Sequence, residues 1–124
     1  MMECKYTLGA DFSITTPNLG DGELREIIFS HPDVVLKIYA PVERQTFHLR
    51  LEKISSFSFS TDHPQNVLEG IRVRPNRGSI RGIPGVEFGQ IAAGPQEGIE
   101  ITLEPIAGPT LVSVCRGLSV FSEQ

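Results

Sequence analysis

Four arginines are the side chains with the clearest chemical potential, because they fall within ten residues of a chain that is acidic overall. A planar guanidinium forms paired hydrogen bonds with phosphate or carboxylate, so such a cluster is a candidate binding site for an anion or an acidic protein surface. Residues 75–85 contain two prolines and three glycines without a hydrophobic period, which predicts an irregular contact loop. The alternative is that the arginines are solvated and paired with nearby glutamates. The four are Arg72, Arg74, Arg77 and Arg81.

A rival contact surface is acidic. In residues 99–104, the apolar side chains alternate with Glu100, Thr102 and Glu104, which predicts a strand with one face in water. A carboxylate-bearing face would attract a basic partner by complementary charge and speed its capture. The sequence leaves open whether this strand or the segment 72–81 is the contact face.

Catalytic and metal-binding patterns are not found. His31, His48 and His63 lie too far apart for the close pairs typical of metal sites, and we expect His48 to point outward from a strand and the other two to lie in turns. Cys4 and Cys115 lie at opposite ends of the chain without a CxxC pattern, so we expect thiols and no disulfide. The sequence also has no nucleophile elbow and no phosphate loop. We therefore expect no enzyme activity, no metal and no cofactor.

The elements that would position these side chains are strands. Residues 34–39 and 47–52 alternate apolar and polar side chains on either side of a short polar segment that carries Pro41, which predicts a hairpin. The period slips at Ile54, and we expect a bulge or bend near residues 52–56. Residues 23–29 have helix-forming residues as well, but the segment is short and we favour a strand.

The remaining patterns complete the predicted fold. We expect a strand from Val67 that ends at Pro75, a strand over 86–91, a turn over 94–98, and a turn over 105–109. The whole chain, 1–124, is predicted to be one mainly-β domain with about eight or nine short antiparallel strands and at most one short helix. The patterns do not decide between a sandwich and a strongly curved sheet.

Charge and hydropathy limit the classes of partner. The net charge is -4, so we expect neither nucleic acid nor an anionic membrane to be the target. No run of about 18 apolar residues is present, and the first residues lack the apolar core of a signal peptide. We therefore expect a cytoplasmic protein with a protein partner that is basic. The oligomeric state is not indicated.

Four segments of the chain follow one order of patterns: an acidic turn and an LxxIxF-like strand, then a hairpin, then the end of a strand. These segments are Asp21 to Phe29, Val35 to Ile38, Phe47 to Leu51, and Ile54 to Phe57. In this order of patterns, residues 21–73 resemble the small β-rich immunity proteins of bacterial polymorphic-toxin systems. The resemblance implies a non-enzymatic module that binds and inhibits a toxin, and it brings no catalytic residues with it.

Two classes of function therefore stay open. The first is a protein-binding or inhibitory module, whose physical mark would be an exposed apolar patch surrounded by acidic side chains such as Glu97, Glu100 and Glu104. The second is a small-ligand or anion-binding β domain that uses the segment 72–81 and a cavity between curved sheets. A deep closed pocket would favour the second class.

Overall fold

A computed structural model gives the conformation of residues 1–60, 67–77, 97–107 and 110–123. Every regular element in these ranges is a β-strand, and none of the residues they contain lies in a helix. The mainly-β fold is therefore confirmed, and residues 23–29 belong to a strand. The described strands are β1 (Met2–Cys4), β2 (Thr7–Leu8), β3 (Ile14–Thr16), β4 (Glu23–Ser30), β5 (Asp33–Ala40), β6 (Gln45–Glu52), β7 (Ser56–Ser60), β8 (Val67–Arg77), β9 (Glu97–Ala107), β10 (Thr110–Cys115) and β11 (Gly117–Ser122).

Nine of these strands form one antiparallel sheet in the order β1-β11-β6-β5-β4-β8-β9-β10-β7, and β2 pairs with β3 in a small second sheet. Among the residues that the structure describes, the joint between β4 and β8 is narrow, because it consists of the residue pair Glu23 and Val67. This joint divides the large sheet into two parts. We call strands β1, β11, β6, β5 and β4 the β5 half, and strands β8, β9, β10 and β7 the β9 half.

The two halves share one hydrophobic core. In β5, Val34, Leu36 and Ile38 are fully buried and alternate with half-buried residues, as the sequence pattern predicts. In β9, Ile101 and Leu103 are also buried and alternate with half-buried residues. Burying one such side chain contributes about 1.5–3 kcal/mol, so the period-2 pattern supplies the main stabilising term. The other strands contribute Leu24, Phe47, Leu49, Leu51, Leu68, Ile71, Val73, Leu111, Cys115, Leu118 and Val120.

The slip of the hydrophobic period at Ile54 marks a crossing between the halves. The predicted bulge or bend is a bend: β6 ends at Glu52, Lys53 bends the chain with a positive φ of 53°, and β7 then pairs with β10 in the β9 half. The N–H of Ile54 donates to the carbonyl of Pro32 at 2.9 Å, and the N–H of Ser55 donates to that of Val114 at 2.8 Å. These hydrogen bonds satisfy two backbone N–H groups in the segment that connects the β5 half to the β9 half.

Two prolines that were predicted to end strands lie inside them. Pro75 pairs with Ile99 in β8–β9, and β8 continues to Arg77. The N–H of Val73 donates to Phe12, away from β9, at 3.0 Å. Because backbone groups two residues apart face the same side of a strand, the nitrogen of Pro75 also faces away from β9 and no ladder bond is lost.

Pro105 pairs with Leu68, where the register shifts between Val67 and Gly70. An irregular register of this kind tolerates a residue that has no N–H. The predicted turn over 105–109 is therefore wrong at its start, since β9 runs to Ala107, and the predicted turn over 94–98 is wrong at Glu97 and Gly98, which also belong to β9. The predicted strand 86–91 and residues 94–96 lie outside the described residues.

Candidate protein-binding surface

The two contact surfaces that the sequence offered as rivals lie on the same face of one pair of strands. Arg72 and Arg74 alternate with buried residues of β8, and Glu100 and Glu104 alternate with buried residues of β9. Arg74 lies directly opposite Glu100 in the antiparallel register. Arginine and glutamate side chains are therefore neighbours on the outward face of β8–β9.

Two carboxylates lie beside the guanidinium of Arg72 and offset its charge. Its Nε lies 3.0 Å from Oε1 of Glu104, and its Nη2 lies 3.9 Å from Oδ2 of Asp11. The Nε–H is buried and does not point at an acceptor, so the contact with Glu104 is an ion pair without a hydrogen bond from that nitrogen. Arg72 lies in β8, within the strand predicted from Val67, and its pairing with carboxylates follows the alternative given above.

The loop between β2 and β3 holds Asp11 beside this arginine. Ser13 donates to Asp11 from its backbone N–H at 3.1 Å and from its hydroxyl at 3.0 Å. These hydrogen bonds, with the charge of Arg72 as a smaller contribution, lower the pKa of Asp11. Ser13 also forms a β-bridge with Arg72, so the loop lies against the edge of β8.

The other arginines of the cluster have different positions. Arg77 is the last residue of β8 and lies opposite Glu97 in backbone register. Arg81 lies outside the described residues. The segment from Arg72 to Arg77 is therefore an extended strand paired with the acidic strand along its length.

A concave surface lies on the outward face of the β5 half. We call it the outer groove; its volume is about 410 Å³. The antiparallel register places Ile28 beside Val35, Val35 beside Arg50, and His48 beside Phe121. Apolar side chains from β4, β5 and β11 therefore lie next to polar ones from β5 and β6. The lining residues are Met1, Ile28, Ser30, Asp33, Val35, His48, Arg50 and Phe121.

One polar wall of the groove is fixed by Asp33. The Nε and Nη2 atoms of Arg50 lie 2.8 Å and 2.7 Å from its Oδ2, and the backbone N–H of Lys53 donates to its Oδ1 at 3.0 Å. The Lys53 hydrogen bond, followed by that from Arg50, lowers the pKa of Asp33. The carboxylate is 12% exposed, so it mainly orients Arg50 and does not face a partner.

A chain of alternating charges begins at His48, which is the member of the chain that lines the groove. Nε2 of His48 lies 2.7 Å from Oε1 of Glu123, and Nζ of Lys37 lies 3.8 Å from the same oxygen and 3.7 Å from Oε1 of Glu26. The hydrogen bond from His48, with the nearby charges of His48 and Lys37, lowers the pKa of Glu123. His48 points outward from a strand, as predicted.

These groups do not form a catalytic arrangement with either thiol. Cys115 is buried, its Sγ donates to the carbonyl of Gly117 at 3.3 Å, and burial raises its pKa to about 11. The Sγ of Cys4 donates to the carbonyl of Val120 at 3.6 Å, and both cysteines are free. A protonated buried thiol is a poor nucleophile.

Among the residues that the structure describes, no three His, Cys, Asp or Glu side chains come together in a group that could hold a metal ion. Over those residues, too, no helix has the length and apolarity needed to span a bilayer.

The outward members of the groove were missed by sequence reasoning. The alternation in 34–39 and 47–52 does place Val35, His48 and Arg50 on the outward side of two adjacent strands. The pattern does not predict that Phe121 and Met1 join these residues. Their positions depend on the pairing of β11 with β6 and of β1 with β11, which brings the two ends of the chain together.

Comparison with family models, with curated proteins and with solved structures finds no match. The resemblance to immunity proteins therefore stays a prediction. Function is argued below from the geometry of the described residues.

Proposed function

We propose that this chain is a non-enzymatic protein-binding module that contacts its partner through the outer groove. The observation that carries the proposal is the composition of the groove, where apolar side chains are accessible between two polar walls. Ile28 is 38% exposed and Met1 is 75% exposed, and Val35 and Phe121 are half-buried beside them. An apolar centre with a polar rim is the usual anatomy of a protein interface.

The position of the groove supports a protein partner over a small ligand. The space between the two halves is occupied by core side chains such as Leu36, Leu49 and Ile101, each fully buried. The groove lies instead on the outward face of the sheet, where residues from several strands form one accessible surface. Such a surface suits a broad contact, whereas small molecules are usually held in clefts that bury most of the ligand.

The charge of the chain as a whole favours a basic partner. Near the groove, the carboxylates of Glu26, Asp33 and Glu123 are matched by the cations Lys37, Arg50 and Lys53. The net charge of the chain is negative, at -4. Complementary charge of this kind raises the association rate more than it raises the affinity.

An immunity-type inhibitor of a bacterial toxin is the particular form of this proposal, since the resemblance over residues 21–73 implies such a role. In that form the chain acts in the cytoplasm and blocks a basic toxin domain by covering its surface. The outward face of β8–β9 gives less support to anion binding, because Arg72 is engaged by Glu104 and Arg74 lies opposite Glu100.

Co-expression tests the toxin-inhibitor form. The proposal requires a toxin domain encoded beside the gene for this chain, and cells that express this domain should grow only when the chain is co-expressed. The Ile28→Lys variant should lose protection at an unchanged expression level. Growth arrest that the parent chain does not relieve would contradict the proposal.

A further inference from the structure

The two edges of the large sheet differ in how well they are protected. The β1 edge has three residues, includes Glu3, and is followed by Lys5. The β7 edge has five residues and carries neither charge nor proline. Natural sheets usually protect an exposed edge with very short strands, charged residues or proline, because the unpaired backbone groups otherwise pair with another chain. The β7 edge has no charged or proline residue to prevent such pairing.

Within the described part of the chain, only one side of β7 is paired with another strand. That side pairs with β10 over five registered residue pairs, from Ser56 with Val114 to Ser60 with Thr110. Among the described strands, none pairs with its free side. Ser58 is exposed, and Phe59 is 41% exposed.

An aromatic contact joins β7 to β4 of the β5 half. The rings of Phe57 and Phe29 meet edge to face, with centroids 5.3 Å apart and planes at 77°. Phe29 itself is 66% exposed, although it lies next to Phe57. Accessible aromatic surface therefore lies at the β7 edge, where a pairing strand would cover part of it.

The sequence of β7 is the same in both directions, Ser56-Phe57-Ser58-Phe59-Ser60. If two copies paired antiparallel around a two-fold axis at Ser58, Phe57 of one copy would lie opposite Phe59 of the second copy. Serines would lie opposite serines. Directly opposed side chains are the main determinant of pairing in an antiparallel sheet, and a two-fold interface requires a surface that is complementary to itself. The β7 strand meets this requirement at each of its positions.

We propose that the β7 edge binds a second copy of this chain, so that two large sheets join into one continuous sheet across a two-fold axis. The outer groove lies in the β5 half, whereas β7 is the last strand of the β9 half, so the dimer contact and the outer groove use different surfaces. The proposal therefore does not depend on the proposed function.

Sedimentation velocity of the full chain from micromolar to millimolar concentration tests this inference. The parent should shift toward twice its 13.6 kDa mass as the concentration rises. Ser58→Lys and Ser58→Glu should each stay monomeric, because each would place like charges directly opposite each other at the two-fold axis. Ser58→Thr, which keeps the position neutral, should dimerise like the parent.

An equimolar mixture of Ser58→Lys and Ser58→Glu provides the decisive result. The opposite charges should restore the dimer as a heterodimer, which a variant that had merely lost its fold could not form. A parent that stays monomeric throughout, a Ser58→Lys variant that still dimerises, or a mixture that stays monomeric would each overturn the proposal.

Discussion

Arg72 and Glu104 lie diagonally across the β8–β9 ladder, with Nε and Oε1 3.0 Å apart. The arginine and the glutamate came from two surfaces that the sequence presented as competitors for a partner. Their contact makes them parts of one charge-paired face. A variant that reverses Glu104 also removes the counter-ion of Arg72, so any binding test on this face must include a measurement of stability.

The first prediction concerns this pair. Arg72→Glu should destabilise the fold, because the new carboxylate would face both Glu104 and Asp11. Adding Glu104→Arg should recover part of the loss, and the double-mutant cycle in urea should give a coupling of about 0.5–1 kcal/mol, the range for partly exposed ion pairs. Strictly additive effects of the two substitutions would show that the pair does not interact.

The second prediction concerns acid stability. The pKa of Asp33 is lowered in the folded state by the Lys53 N–H and Arg50, so its contribution to stability is present above the ordinary value of 3.8 and is lost as the pH falls through the folded value. Urea unfolding of Asp33→Asn should therefore depend less steeply on pH than that of the parent below about pH 4. Asp21→Asn, which lies outside these contacts, is the control, and an equal flattening in both variants would refute the assignment to Asp33.

The third prediction uses two glycines. A Cβ at Gly98 would overlap the carbonyl oxygen of Cys115 and lie 3.3 Å from its carbonyl carbon, whereas a Cβ at Gly70 would meet nothing within 4 Å. Gly98→Ala should cost about 1–3 kcal/mol because backbone must move. Gly70→Ala, the matched control, should be neutral or slightly stabilising. Equal urea midpoints for the two variants would contradict the close approach of β9 to Cys115.

The fourth prediction concerns the buried thiol. Burial raises the pKa of Cys115 from 9.0 to about 11, so the folded state favours the protonated form. The associated stability is present below pH 9.0 and is lost as the pH rises toward 11. In a Cys4→Ala background, Cys115 should react with a thiol reagent at pH 8 only after unfolding in urea. Rapid reaction of the native protein would show that the thiol is accessible.

The alternation of apolar and polar residues was sufficient to predict the hairpin of β5 and β6. Val34, Leu36 and Ile38 all point into the core because side chains in a strand alternate between its two faces, a property that does not depend on the neighbouring strands. The position of β7 was not predictable in the same way. Its slipped period is compatible with a bulge, and only the pairing with β10 shows that the chain has crossed to the other half.

The binding surface was harder to predict than the strands. The sequence drew attention to Arg72, but its counter-ion Glu104 is distant in the chain and becomes a neighbour only through the β8–β9 register. The outer groove also depends on strand pairing, because its lining residues Met1 and Phe121 come from opposite ends of the chain. Local patterns determine which face a side chain occupies, whereas the contents of a site depend on strand order.

We propose the outer groove as the contact surface for a basic protein, and titration calorimetry tests this most directly with the toxin domain that the proposal requires to be encoded beside the gene for this chain. Ile28→Lys places a cation in the groove, and Val42→Lys places the same charge on another exposed apolar residue, in the turn between β5 and β6. Ile28→Lys should weaken binding by more than about tenfold, or 1.4 kcal/mol, while Val42→Lys leaves it near the parent value. Parent-like affinity for Ile28→Lys, or an equal loss in both variants, would contradict the claim.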